Sequence, residues 1–201
     1  MNCAIEGFGC KPQIGTKSNL MNKTILFTLT GGVLLFVWQF MSFAALNLHG
    51  NAQTYTPKDR EILQFLEGME LEEGMYALGA PSPEVRSDPA MQEVYSQKME
   101  GQPWAVLNYQ KVWSGDMTME LVRGFIMNLL MAWLLFWVMR GLKEASLQRC
   151  VLVAVAIGWV GFLYFPYSNF IWFRNPDIWA HMLDATVPFV LLGWLGHRWR
   201  S

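Results

Sequence analysis

"TILFTLTGGVLLFVWQFMSFAAL", Thr24 to Leu46, runs for 23 residues without a charged side chain. That length matches the roughly 20 residues with which an α-helix crosses about 30 Å of hydrocarbon. Three further segments read the same way. Residues 118–139 contain "GFIMNLLMAWLLFWV", residues 150–166 are "CVLVAVAIGWVGFLYFP", and the fourth segment covers 177–196. Between Met21 and Leu48 the only charged side chain is Lys23, and none lies between Arg149 and Phe173. Backbone polar groups cannot stay unpaired in lipid, so each segment is expected to be an α-helix. The chain is 53% hydrophobic and 15% charged, with ten tryptophans, which fits a membrane protein better than a soluble domain. The fold class expected is an all-α integral membrane protein of four transmembrane helices, with a small α+β extracytoplasmic insert between the first and second.

The first segment also resembles a secretory signal, with "SFA" (Ser42–Ala44) as a cleavage site. Its apolar run exceeds the 7–15 residues of a secretory h-region, so an uncleaved anchor is expected. Residues 1–20, "MNCAIEGFGCKPQIGTKSNL", show no periodicity. They read as a flexible cytoplasmic leader, or as the product of a start codon placed ahead of Met21.

The distribution of Lys and Arg sets the orientation. Lys11, Lys17 and Lys23 precede the first span, Arg140, Lys143 and Arg149 flank the loop between the second and third, and Arg198 and Arg200 follow the fourth. The stretch between the first two spans carries five basic and eleven acidic residues. Both termini (including the tail, 197–201) are therefore expected in the cytoplasm of a bacterial inner (plasma) membrane, with 47–117 outside. No nucleic-acid footprint is present. Cys3, Cys10 and Cys150 are expected on the cytoplasmic side and have no C-x-x-C spacing, so neither a disulfide nor a zinc framework is suggested.

Within the insert, Thr56 and Pro57 open a helix over "YTPKDREILQFLEGME". Met75–Leu78 reads as a strand, and "SDPAMQEVYSQKMEG" as a second helix capped by Ser87 or Asp88 and ended by Gly101. "QPWAVLNYQKVW" reads as a strand that pairs with the first. So small a core is expected to lean on the membrane helices or a partner.

Polar groups inside the spans are the functional candidates, because ionisable side chains there cost at least about 2.5–3.5 kcal/mol and normally pair. Counting at 1.5 Å per residue puts Gln39, Arg123, Tyr164 and His181 about 22–25 Å from their basic anchors, with Asn128 and Asp184 deeper. Asp177, His181 and Asp184 are spaced i, i+4, i+7 and share one helical face. Asp116, Glu120 and Arg123 repeat that spacing on the second span. The two stripes are expected to face each other, Arg123 neutralising Asp184 with His181 beside them. The plainer readings are a helix cap for Asp177, an intrahelical ion pair for Glu120 and Arg123, and interhelical hydrogen bonding for Gln39 and Tyr164. Pro188 removes an N–H and predicts a kink beside Asp184. Ala154, Gly158 and Gly161 form a small-residue face for close helix packing.

No Walker loop, H-E-x-x-H, G-x-S-x-G, G-x-G-x-x-G or C-x-x-C-H motif occurs. A non-catalytic accessory, scaffold or small-solute-binding component is therefore expected, without cofactor. Its surroundings are the lipid bilayer and either a membrane-protein partner or a second copy. The alternative is a membrane-embedded enzyme with His181 as general base oriented by Asp184. The metal ligand types within reach are His49, His181 and Asp184, but one helix histidine with carboxylates is a poor zinc set, and no metal is expected. Proton movement through His181 and Asp184 lacks a continuing path toward the cytoplasm.

Overall fold

The computed structural model describes residues 14–143 and 146–200, with residues 14–20 by their backbone alone. Cys3, Cys10 and most of the expected leader lie outside the described residues. The chain divides into two compact units, residues 54–117 and the remainder.

The larger unit holds four helices long and apolar enough to cross a membrane: Met21–Ala45, Thr118–Arg140, Leu147–Phe173 and Ile178–Arg200. The first is α1 (Ile14–Phe40), which widens into a π turn over Met41–Ala45. Its start at Ile14 corrects the expectation of an irregular leader up to residue 20; extending an existing helix costs far less than nucleating one. The second and third long helices, separated here from the first by the insert's own elements, are Thr118–Arg140 and Leu147–Phe162. The latter does not stop at Pro166 as the sequence implies. A second π turn, Leu163–Tyr167, absorbs the missing proline N–H, and a short helix, Ser168–Phe173, carries the span on. The fourth span is two pieces, Ile178–Asp184 and Val187–Arg200, separated by a turn at Ala185–Thr186 where Pro188 foreshadows a break.

The smaller unit contains α2 (Asp59–Glu67), β1 (Gly74–Leu78), α3 (Pro83–Ser87), α4 (Pro89–Met99) and β2 (Ala105–Tyr109). The strands pair antiparallel, with Gly74 opposite Tyr109 and Leu78 opposite Ala105. Ser82 caps α3 through Val85 N–H, and Asp88 caps α4 through the N–H groups of Ala90 and Met91. Thr56 does not start α2 directly; a turn over residues 57–58 intervenes. Leu66 and Tyr109 are its buried hydrophobic residues, while Met75, Trp104 and Trp113 are exposed. In chain order the long helices after the insert are then α5 (Thr118–Arg140) and α6 (Leu147–Phe162), followed by α7 (Ser168–Phe173), α8 (Ile178–Asp184) and α9 (Val187–Arg200).

In the larger unit α1 lies along α5, α6 lies along α9, and α1 meets α9 between the two pairs. Phe27 stacks on Phe136 with ring centroids 4.5 Å apart, and Trp199 meets Phe27 edge-on at 6.0 Å. Leu135, Met139, Cys150, Ala154 and Leu192 complete the buried core.

Small residues set how closely the pairs approach. A Cβ on Gly32 would lie 2.6 Å from Leu129 Cδ2. On Gly193 it would lie 2.6 Å from Val151 Cα, and on Gly158 it would run into the Ala185 carbonyl oxygen. Ala154 and Gly158 thus form the expected packing face, but Gly161 does not belong to it, since its Cβ would meet nothing within 4 Å. Without a hydrophobic drive between helices in lipid, such backbone contact supplies much of the association.

Gly158→Ala and Gly193→Ala are expected to lower the thermal stability of detergent-purified protein by about 1–3 kcal/mol each, the usual cost of overpacking. Gly124→Ala, also in open space, is expected to be neutral or to gain up to about 1 kcal/mol from helix propensity. Equal melting temperatures for all three variants would contradict the close crossing.

Candidate functional site

The polar groups of the larger unit gather where α1 ends and α8 begins. After the π turn, Asn47 takes a left-handed φ of 49° and the chain turns through Gly50 N–H to Asn47 C=O. This swings His49 back over the bundle, leaving it 7% exposed. On the other side, Arg174 closes α7 with a left-handed φ of 52°, and Asn175-Pro176 leads into α8. Asp177 sits at the N-cap position, yet its side chain makes no capping bond. It is 8% exposed and faces His49 instead.

The two ring nitrogens of His49 each meet a carboxylate. Nδ1 lies 2.8 Å from Asp177 Oδ2, and Nε2 lies 2.9 Å from Asp184 Oδ2. Asp177 Oδ2 is also 3.3 Å from His181 Nε2, one turn further along α8. The His49 ring is stacked on Phe43 at 4.0 Å and meets the His181 ring edge-on at 4.7 Å. The second oxygen of Asp184 accepts from Trp38 Nε1 at 2.9 Å and Ser42 Oγ at 2.7 Å. Ser42 is fully buried inside the π turn; the extra residue of a π turn changes which side chains point inward, and such turns recur at functional sites.

The electrostatics follow from these contacts. Burial alone would lower the pKa of His49, but its contacts with Asp177 and Asp184 outweigh that and hold it above the ordinary value. Burial pushes Asp177 the other way, and the His49 contact together with the His181 charge holds it below the usual carboxylate range. A carboxylate can only accept, so two short contacts from one imidazole require a positive centre between the two acids.

The remaining expected site residues are placed elsewhere. Arg123 and Glu120 are exposed and form no ion pair with each other or with Asp184 among the described residues. The Arg123–Asp184 pairing is thereby corrected. Asp184 takes its partners from α1 and the loop that follows it, while α5 touches α9 at the opposite end, Met139 against Gly196. Gln39 and Asn128 are brought together, Asn128 Nδ2 donating to Gln39 Oε1 at 2.8 Å. Tyr164 is 84% exposed and belongs to no polar cluster. Asp177, read as a cap, is instead a central member of the site.

Sequence reasoning passed over Trp38 and Ser42. Their spacing of four puts both on one face of the first span, and His49 joins them from the turn that follows it. The pair was overlooked because neither tryptophan nor serine is ionisable.

Below the cluster lies a cavity of about 690 Å³, walled by all four spans. Leu35, Met131, Ile157 and Phe189 represent its sides, and Gln39, His181 and Asp184 are among its polar groups. Arg123 lies about two helical turns beyond Met131, the outermost α5 residue of its wall.

His49→Ala leaves two carboxylates facing each other and is expected to cost about 3–5 kcal/mol of stability. Ser42→Ala, which removes one donor to Asp184, should cost about 1–3 kcal/mol, and Arg123→Gln should stay within about 0.5 kcal/mol of the parent. Thermal unfolding in a mild detergent checks all three; a large loss for Arg123→Gln would restore the pairing with Asp184. No family model, curated protein or solved structure matches this chain, so what the cluster does must be read from its own geometry.

Proposed function

We propose that this is a multi-pass protein of the bacterial inner membrane that acts without catalysis, as a binding component for an amphiphilic small molecule held between its spans. Four helices of sufficient length and hydropathy support the membrane reading. Lys23, Arg140, Lys143, Arg149, Arg198 and Arg200 collect at one end of them, which favours cytoplasmic termini by the positive-inside rule. The acidic residues 54–117 and the His49 cluster then belong to the extracytoplasmic side.

The observation that carries the binding reading is the cavity. Its volume falls within the range of small-molecule sites, and its walls are mainly apolar with few polar groups, as such sites require. A ligand suited to this space has an aliphatic or aromatic body and a head that donates hydrogen bonds or carries positive charge, because Asp184 borders the cavity and Asp177 lies behind it.

Gly161 offers a clean test, since it borders the cavity and a Cβ there meets open space. Native mass spectrometry of the protein extracted in mild detergent is expected to find a co-purifying amphiphile, and Gly161→Leu should remove it without loss of thermal stability. A bare wild-type protein, or an adduct indifferent to Gly161→Leu, would overturn the reading. For the orientation, single cysteines at Ser96 and Lys143 in a background lacking the native cysteines are to be treated with a membrane-impermeant thiol reagent on cells with a permeabilised outer layer. Labelling is expected at Ser96 only, and the reverse result would invert the topology.

A further inference from the structure

Three side chains of the outer cluster each offer a ligand atom to a common point. One nitrogen of His49, one of His181 and one carboxylate oxygen of Asp184 all lie within 4.8 Å of one another. Atoms bound to zinc at about 2.0–2.2 Å sit roughly 3.3–3.5 Å apart in a tetrahedron, so a small closure of this set surrounds one ion. The His49 Nε2 to Asp184 Oδ2 separation is 2.9 Å, so this pair opens by about half an ångström as His181 closes in.

The groups behind these atoms match what a metal requires of its surroundings. A ligating imidazole usually gives its other N–H to a carboxylate, which fixes the tautomer and orients the ring. Asp177 is placed to do this for His49, its Oδ2 lying 2.8 Å from Nδ1, so that Nε2 is the nitrogen turned toward an ion. It also stands 3.3 Å from His181 Nε2, so the same carboxylate backs both rings. Asp184 is divided in the same manner: Oδ1 is held by Trp38 and Ser42, and Oδ2 is turned toward His49. A divalent ion held by Nε2 and Oδ2, with both imidazoles neutral, carries the charge that balances the two acids.

We infer that His49, His181 and Asp184 form a site for a divalent transition-metal ion, zinc being the natural first choice for two imidazoles and a carboxylate, with Asp177, Trp38 and Ser42 as positioning residues. The expectation from sequence that no metal is bound counted one helix histidine; the fold supplies the second from the loop after α1. Three protein ligands leave a coordination position open. His181 and Asp184 both also border the cavity. The ion and the amphiphile are separate inferences: the metal set stands whether or not the cavity is filled.

The test uses the full chain in detergent, stripped with a chelator, desalted, and titrated with zinc chloride alone. One zinc per chain after a second desalting is expected, with a raised melting temperature, and His49→Gln should lose both. Asp177→Asn, which keeps size and hydrogen bonding, is expected to weaken zinc binding about 10–100-fold, the usual effect of removing a carboxylate behind a ligating histidine. Cobalt substitution should give visible absorption bands in the wild type that are absent in His49→Gln. Substoichiometric zinc in the wild type, or full occupancy in a folded His49→Gln, overturns the site. A Gly161→Leu variant that loses its amphiphile yet still takes up one zinc would separate this inference from the cavity reading.

Discussion

The outer end of the bundle depends on one constraint: two aspartates are held beside a single buried imidazole. Asp177 and Asp184 come from opposite ends of α8, and His49 comes from a loop more than a hundred residues earlier in the chain. Neither acid could remain ionised at the edge of a hydrocarbon layer without a positive partner. Placing that partner in the loop ties the exit of the first span to the entrance of the fourth. The left-handed turn at Asn47, the reversal at Arg174 and the π turn carrying Ser42 all serve this closure.

The rest of the bundle is organised by close approach of backbones. Gly32 beside Leu129 and Gly193 beside Val151 bring the helices together in two pairs, α1 with α5 and α6 with α9. The pairs converge where Phe27, Phe136 and Trp199 pack and where Met139 sits on Gly196. Toward the other end the cavity lies between the spans, bordered by Leu35 and Phe162. The polar cluster therefore overlooks an apolar chamber rather than a packed core.

Much of this was legible in the sequence. The spans announced themselves by length and absence of charge, the insert by its turn residues, and the pairing of its strands by their alternation. Pro188, the second residue of α9, marked the break at Ala185–Thr186. The site was half legible: the stripe of Asp177, His181 and Asp184 was visible as a periodicity, but its counter-charge was sought on the wrong helix. Arg123 seemed the natural partner because depth along a helix can be counted from sequence, whereas which helices adjoin cannot. A π turn adds a residue to one turn without any sequence mark, so the inward rotation of Ser42 could not be foreseen. His49 was counted only as a metal ligand type within reach and not as the counter-charge, since nothing local says that a loop folds back over a bundle.

The division of the fourth span has a mechanical consequence. Its lower piece is clamped to α6, with Gly193 seated against the Val151 backbone, while its upper piece is gripped by the loop that follows the first span. A continuous rod would carry a twist from one face of the bilayer to the other. A jointed rod divides the span into two independently held pieces, one fixed by the His49 loop and the other by the basic end of the bundle, with Ala185 resting on Gly158 between them.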